Sequence, residues 1–168
     1  MGFEDLFKKF VKTKFIRNLR YEPHIVETIS FIKPEYYSNI LVFYKQINYL
    51  KSILLEHLPN DDIFDCNVEN LENCTFDIKF DCIVIFLCKN SSNQYSIYKT
   101  IQNTKNADLF IVDYLMGKKL FNLALRLSDK SSYNDIKQKK PSIFEEKYLL
   151  TDQLISKKNN IVIKKFSI

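Results

Sequence analysis

The most apolar stretch of the chain reads FDCIVIFLC over residues 80–88, with polar residues on both sides. An uninterrupted apolar run of this length is typical of a strand that is buried on both faces, as in a parallel sheet. A second run, DLFIVDY, follows at residues 108–114, and between the two runs apolar side chains recur at helical spacing over residues 92–104. Strand, helix and strand of these lengths predict a βαβ unit with a right-handed crossover.

Helices are expected before this unit. Apolar side chains recur every three or four residues from Tyr36 to Leu58, which predicts an amphipathic helix. Further helices are expected within residues 3–19 and from Val26 to Phe31. The chain is therefore predicted to enter the fold through helical segments.

The region after the βαβ unit is expected to close the sheet. A helix is predicted from Gly117 to Ser128, followed by a polar loop over residues 129–142. Two final strands, near residues 147–155 and 160–168, flank a turn-like Lys-Lys-Asn-Asn sequence and predict an antiparallel hairpin. The expected class is α/β, with a partly parallel sheet covered by helices.

Length and composition indicate one domain. A chain of 168 residues with 46% hydrophobic residues fits a single core. We expect a helical extension over residues 1–34 and a core over residues 35–168. No window is apolar enough to span a bilayer, and the start, MGFEDLFKKFVKTKF, mixes acids and lysines where a signal peptide would be apolar. A cytoplasmic protein that does not cross a membrane is predicted.

Glycine is scarce: the sequence holds only Gly2 and Gly117. Loops that cradle phosphates need several glycines, so that backbone N–H groups can approach the ligand. The sequence therefore excludes both the GxGxxG and the GxxxxGK[ST] motif.

The cysteines and histidines suggest no chemistry. The cysteines are separated by seven, seven and five residues, which fits neither a zinc knuckle nor an obvious disulfide framework, so all four are expected to be reduced and structural. His24 is predicted in a loop and His57 at the end of a helix, with no nucleophile or metal-ligand pattern nearby. No metal site and no catalytic residue are predicted.

Charge is segregated along the chain. Residues 1–20 carry six basic and two acidic side chains, residues 56–81 eight acidic and one basic, and residues 137–165 eight lysines against three acids. These segments are typical of solvated surfaces, and basic ends also suit an acidic partner or the phosphates of RNA. The sequence has no aromatic–basic RNP motif or zinc finger that would indicate a dedicated nucleic-acid module.

Three short stretches resemble the messenger-RNA cap guanine-N7 methyltransferases. Residues 41–55, LVFYKQINYLKSILL, resemble the family's helix before its cofactor loop, with matches at Asn48, Lys51 and Ser52. The run at residues 80–88 resembles its strand FDxxscqfxxHY, and residues 116–121, MGKKLF, resemble the viral sequence DGDKLF. The resemblance covers about half of the chain. It implies a reduced, Rossmann-like methyltransferase-type sheet.

The departures from that family concern its binding sites. Members place a strand, a DLGCGxGGD loop and a ribose-binding acidic strand between the first two stretches, where this chain offers only the glycine-free residues 56–79. The cap-contacting His-Tyr pair falls at Asn90 and Ser91. No cofactor is therefore expected. Lys51 and Asp113 are the two positions at which any residual cofactor binding is predicted.

The resulting hypothesis is a non-catalytic methyltransferase-like subunit that binds and stimulates or stabilises a partner enzyme, with mRNA capping as the implied process. It is similar in kind to the small stimulatory subunit of the poxvirus capping enzyme. Two alternatives stay open: a divergent, active S-adenosylmethionine-dependent RNA methyltransferase, and a basic nucleic-acid-binding accessory protein. A protein partner is expected to contact aromatic and aliphatic side chains near the two ends of the chain, which are Phe3, Phe7, Phe10, Ile161, Ile163 and Phe166.

Overall fold

The structure, a computed structural model, describes residues 14–44, 63–86, 91–115, 122–123, 126–127, 130–137 and 141–168. Its helices are α1 (Lys14–Ile32), α2 (Ser91–Ile101), α3 (Lys130–Lys137) and α4 (Ile143–Lys147). Its strands are β1 (Ile40–Tyr44), β2 (Ile63–Asn67), β3 (Cys82–Phe86), β4 (Asp108–Tyr114), β5 (Leu149–Ser156) and β6 (Ile161–Ser167). Short 3-10 helices cover Pro34–Tyr36 and Val68–Asn73.

The six strands form one mixed sheet in the order β2-β1-β3-β4-β6-β5. Strands β1 to β4 pair in parallel, with Val84 of β3 between Val42 of β1 and Phe110 of β4. Strand β6 is antiparallel to both β4 and β5. The predicted βαβ unit and the predicted antiparallel hairpin are thus both confirmed.

Two apolar clusters cover the two faces of the sheet. Every residue of β3 is buried, and its side chains alternate between the clusters. On one face Ile25 and Ile32 of α1 pack against the sheet, and on the other Ile97 of α2 and Phe144 of α4 do so. The continuous apolar run in the sequence reflects this burial from both sides.

The predicted helix from Tyr36 to Leu58 is wrong where the structure describes it. Residues 40–44, ILVFY, form strand β1, and four of the five are buried. Aromatic and β-branched side chains suit a strand, and a short run buried on both faces has no two-residue alternation that would separate it from a helix. Residues 45–58 lie outside the described residues.

The polar loop predicted over residues 129–142 is wrong over residues 130–137, because the structure forms α3 there. Its sequence, KSSYNDIK, is mostly polar, so the apolar periodicity on which sequence reasoning depends is weak. Tyr133 packs against the core cluster that covers the α1 face of the sheet. Of the helix predicted from Gly117 to Ser128, only residues 122–123 and 126–127 are described, and they are helical.

His24 lies within α1 and not in a loop. This single helix runs through the residues between the two helices predicted near the chain start, and it contains Pro23. The separation of an extension at residues 1–34 from a core at residues 35–168 stays a prediction. Phe3, Phe7 and Phe10 lie outside the described residues.

Strand β6 is an interior strand, so the expectation that its edge pairs with another chain is wrong. It lies between β4 and β5, and Ile161, Ile163 and Phe166 are fully buried. These side chains pack in the chain's own core, which removes them from a partner surface. The outer edge on this side belongs to β5, where Leu149, Leu150 and Ile155 are exposed and a bulge interrupts the register between Leu150 and Asp152.

Replacing Val84 by Asp should unfold the domain. Val84 lies at the centre of β3 and is 5% exposed, so the variant buries a carboxylate at a cost on the order of several kcal/mol, comparable to the whole stability of a small domain. Ile155→Asp, on the exposed edge strand, is the matched control and should fold. Thermal unfolding followed by circular dichroism measures both. A Val84→Asp variant that unfolds cooperatively near the parent temperature contradicts this core.

Candidate functional site

The carboxyl ends of the parallel strands form the edge at which ligands bind in open α/β sheets. Strands β1 and β2 are neighbours in parallel register, and their last residues, Tyr44 and Asn67, are paired. The segment that joins them, residues 45–62, lies outside the described residues. In the sequence it follows directly after the carboxyl end of β1.

Tyr44 and Asp65 are bonded to each other near this edge. The Tyr44 hydroxyl donates a hydrogen bond to Oδ2 of Asp65 at 3.1 Å. Burial raises the pKa of Tyr44, and the Asp65 carboxylate raises it further. The phenol therefore stays protonated and keeps its role as a donor at physiological pH. One of the two carboxylate oxygens of Asp65 thus already accepts a hydrogen bond from within the chain.

A disulfide between Cys66 and Cys74 corrects the expectation that all four cysteines are reduced. It links β2 to the residue that follows the second 3-10 helix, with the Cα atoms 6.0 Å apart. Seven residues between two cysteines gave no recognisable framework, because the pairing depends on how the intervening 3-10 helix returns the chain to the strand. Disulfides are rare in the reducing cytosol, so this bond bears on the cytoplasmic location, which stays a prediction.

Reducing the Cys66–Cys74 bond should destabilise the domain. Cross-linking two residues eight positions apart restricts the unfolded chain by about 2.5 kcal/mol, so reductant should lower the thermal midpoint by roughly 5–10 °C. The Cys66→Ala/Cys74→Ser variant should lose this sensitivity. Alkylation in denaturant without reductant, read by mass spectrometry, should label Cys82 and Cys88 only. Labelling of all four thiols contradicts the bond.

Of the two residues proposed for residual cofactor binding, the structure describes Asp113 and not Lys51. Asp113 lies near the carboxyl end of β4 and is 3% exposed, so it is at the expected edge but inside the protein. Lys51 lies outside the described residues. The alignment that suggested Lys51 matched residues 41–55 to a helix, and its first four residues belong to β1, so that alignment is wrong there.

The amino ends of the strands hold a second polar cluster. Asp81, just before β3, accepts hydrogen bonds from the backbone N–H groups of Ser38 and Asn39 at 2.8 and 2.9 Å. Asp108, the first residue of β4, accepts a hydrogen bond at Oδ2 from the Tyr37 hydroxyl at 2.5 Å. The same oxygen forms an ion pair with the Lys165 ammonium at 2.8 Å. These contacts tie the turn before β1 to strands β3, β4 and β6.

The Tyr37 hydroxyl and the Cys82 thiol, which belong to this second cluster, both favour the protonated, neutral form. Burial raises the pKa of Tyr37 far above its ordinary value, and Asp108 raises it further. Burial also raises the pKa of the Cys82 thiol, followed by the effect of Asp108 and Asp81. Neither group is an activated nucleophile, because both favour the protonated form. Sequence reasoning missed this cluster, since Tyr37, Asp108 and Lys165 are far apart in the chain and share no motif.

Among the described residues, two cavities open near the amino ends of the parallel strands. One, of about 610 Å³, is lined by Asn39, Asp81 and the residues that follow α2. The other, of about 330 Å³, lies between the end of α1, the turn around Tyr36 and the strands β4, β5 and β6. Neither includes a residue predicted from the sequence to bind a ligand.

The part of the chain that the structure describes lacks two further features. Among its residues, no three His, Cys, Asp or Glu side chains come together as a metal site requires. No helix in this part of the chain is long and apolar enough to cross a membrane.

Solved methyltransferases share the fold of this chain. The plantazolicin methyltransferase BpumL, in complex with SAH, has a TM-score of 0.56 at 10% identity, covering 98% of this chain and 94% of that enzyme. The O-methyltransferase family 2 protein of Planctomyces limnophilus has a TM-score of 0.56 at 11% identity, and PigF with SAH has 0.57 at 8%. This chain spans only 62% and 60% of the last two enzymes.

No protein-family model and no curated protein matches the sequence. At these identities the structural similarity shows the fold alone. It confirms the α/β, Rossmann-like sheet of methyltransferase type that the sequence resemblance implied.

Proposed function

We propose that this chain is a methyltransferase-like subunit without cofactor chemistry of its own, which binds and stabilises a partner enzyme. The main support is the absence of glycine from the segment that joins β1 to β2. The only glycines of the chain are Gly2 and Gly117.

The family resemblance explains why this segment matters. Cap methyltransferases place a glycine-rich loop between a strand and a ribose-binding acidic strand. Strands β1 and β2 are adjacent and parallel, and β2 carries Asp65, so the corresponding segment here is residues 45–62. The sequence comparison had matched the glycine-rich loop to residues 56–79, which begin too late in the chain for this position. The loop glycines allow the backbone to approach a cofactor and to turn tightly, which side chains with a Cβ hinder.

Asp65 of β2 already accepts a hydrogen bond at Oδ2 from the Tyr44 hydroxyl, at 3.1 Å. A carboxylate accepts about four hydrogen bonds over its two oxygens, so this bond leaves room for a ribose hydroxyl. The support for the proposal is therefore the missing glycines.

The proposal predicts no binding of S-adenosylmethionine or S-adenosylhomocysteine. Isothermal titration of the whole chain with ligand up to about 1 mM should give no saturable heat, which sets the binding free energy weaker than about 4 kcal/mol. The plantazolicin methyltransferase, crystallised with SAH, serves as the positive control. Micromolar binding to this chain refutes the proposal.

A divergent active methyltransferase is the alternative that the same titration distinguishes. Asp65 favours it, because an acidic side chain remains on the strand corresponding to the ribose-binding one. If the chain binds S-adenosylmethionine, methyl transfer to RNA becomes the activity to assay. The basic accessory-protein alternative rests on the lysine-rich ends, and it requires RNA or DNA binding that is strong at roughly 50 mM salt and weakens steeply as salt rises.

We propose that the partner is a protein. Because the sequence resembles cap methyltransferases, enzymes of RNA capping are the first candidate partners to test. A partner enzyme purified from the native source with this chain should gain activity or thermal stability when the separate chain is added back. Stabilisation by mass action should increase with the concentration of this chain. An enzyme whose activity and midpoint are unchanged is not its partner.

Replacing Phe3 and Phe7 together by Ser should weaken binding of that partner by more than tenfold, about 1.4 kcal/mol. With Phe10 these rings recur at helical spacing near the chain start, and aromatic side chains are enriched at protein interfaces. Tyr95→Ser, on the exposed face of α2, is the control and should bind normally. Affinity is measured by titration after circular dichroism shows native folding. Equal affinity of both variants places the interface elsewhere.

A further inference from the structure

The cavity of about 330 Å³ has the composition of a ligand site, although it lies away from the carboxyl ends of the strands. Its volume is at the lower end of the range of small-molecule sites, which begins at roughly 300 Å³. It is bounded by the last residues of α1, by the turn that includes Tyr36 and Tyr37, and by one residue each of β4, β5 and β6. It is therefore formed by elements distant in sequence.

Four of the nine residues that line it are aromatic. Phe110 is 1% exposed, and the rings of Phe31 and Tyr37 meet it edge to face with centroids 6.2 and 6.1 Å away. Tyr37 is fixed further by its hydrogen bond to Asp108. Tyr36, by contrast, is 76% exposed. The buried rings fix the neighbouring turn, and the exposed ring of Tyr36 can stack against a planar ligand.

Charged groups surround these rings. The ammonium of Lys165 lies 5.5 Å from the centroid of Phe110 and uses one contact on Asp108, while an ammonium has three N–H donors. Lys33 is exposed and adjoins the 3-10 helix that contains Tyr36. Asp152 of β5 adds a carboxylate that accepts hydrogen bonds. The cavity thus combines an exposed lysine, a lysine that is ion-paired with Asp108, and a carboxylate whose Oδ1 accepts the Gln153 N–H at 2.7 Å.

We propose that this cavity binds a nucleotide unit, either as a free nucleoside monophosphate or within single-stranded RNA. The base stacks on Tyr36, the phosphate is attracted to Lys33 and Lys165, and a ribose hydroxyl donates to Asp152. Aromatic stacking combined with cationic side chains is the general chemistry of single-stranded nucleic-acid recognition. A purely apolar ligand would make no use of the lysines, and a simple anion would make no use of the rings. The inference does not depend on the proposed function, because it involves the opposite ends of the strands.

The test measures binding of a fluorescently labelled short oligouridine by anisotropy, using the full chain. The Tyr36→Ala/Lys33→Asn variant should bind at least about tenfold more weakly, as expected for the loss of one stacked base. Its salt slope should fall by about one, since one phosphate contact is removed. Lys33 has a backbone φ of 55°, and asparagine tolerates this left-handed conformation, so the variant should fold.

A matched control removes the same chemistry elsewhere. Tyr95 is 51% exposed, and Lys99 lies 4.9 Å from its ring centroid on the surface of α2. The Tyr95→Ala/Lys99→Gln variant therefore loses a ring and a cation without altering the cavity. Its affinity should equal that of the parent chain.

Competition identifies the source of the nucleotide. Displacement of the label by uridine monophosphate shows that a free nucleotide suffices, and displacement only by unlabelled oligouridine shows that a strand is required. The inference is overturned if the parent chain binds neither ligand, or if both double variants lose affinity equally. Displacement by a polyglutamate peptide as effective as by oligouridine also overturns it, because the site would then recognise negative charge alone.

Discussion

The burial of strands β3 and β4 on both faces is the constraint on which the remaining structure depends. A strand with apolar side chains on both sides must be covered twice, so helices are needed on each face of the sheet. Helix α1 supplies one cover, and α2 with α4 supplies the other. Polar side chains of the parallel strands therefore lie mainly near the strand ends. The Tyr44–Asp65 pair lies near the carboxyl ends, and the cluster around Asp81 and Asp108 lies at the amino ends.

The two ends of the parallel strands differ in chemistry. At the carboxyl ends, Tyr44 is bonded to Asp65, and the adjacent Cys66 is linked to Cys74. At the amino ends, Asp81 and Asp108 organise the turn before β1, and both cavities open nearby. In α/β sheets generally the carboxyl ends bind ligands. This chain keeps that sheet, and it places its aromatic, cation-lined cavity on the other side.

Sequence patterns predicted strands β3, β4, β5 and β6, and burial alone did not decide the outcome, because the largely exposed β5 was predicted and the buried β1 was not. The runs at residues 80–88 and 108–114 and the helix between them needed only hydrophobic periodicity and length to recognise. Strand β1 was mistaken for a helix because a five-residue run buried on both faces lacks alternation, and α3 was missed because it is mostly polar. The Tyr37–Asp108–Lys165 cluster and the Cys66–Cys74 bond depend on register and chain reversal, which neither composition nor spacing specifies.

The bulge in β5 has a consequence for how this protein behaves at high concentration. Edge strands offer unpaired backbone groups on which neighbouring molecules can add strands and begin to aggregate. Here Leu149, Leu150 and Ile155 are exposed along such an edge, but the register shift beside Asp152 breaks its regularity and places a carboxylate in its middle. A neighbouring molecule would have to desolvate that charge to extend the sheet. The irregularity therefore disfavours the addition of a strand from a neighbouring molecule at this edge.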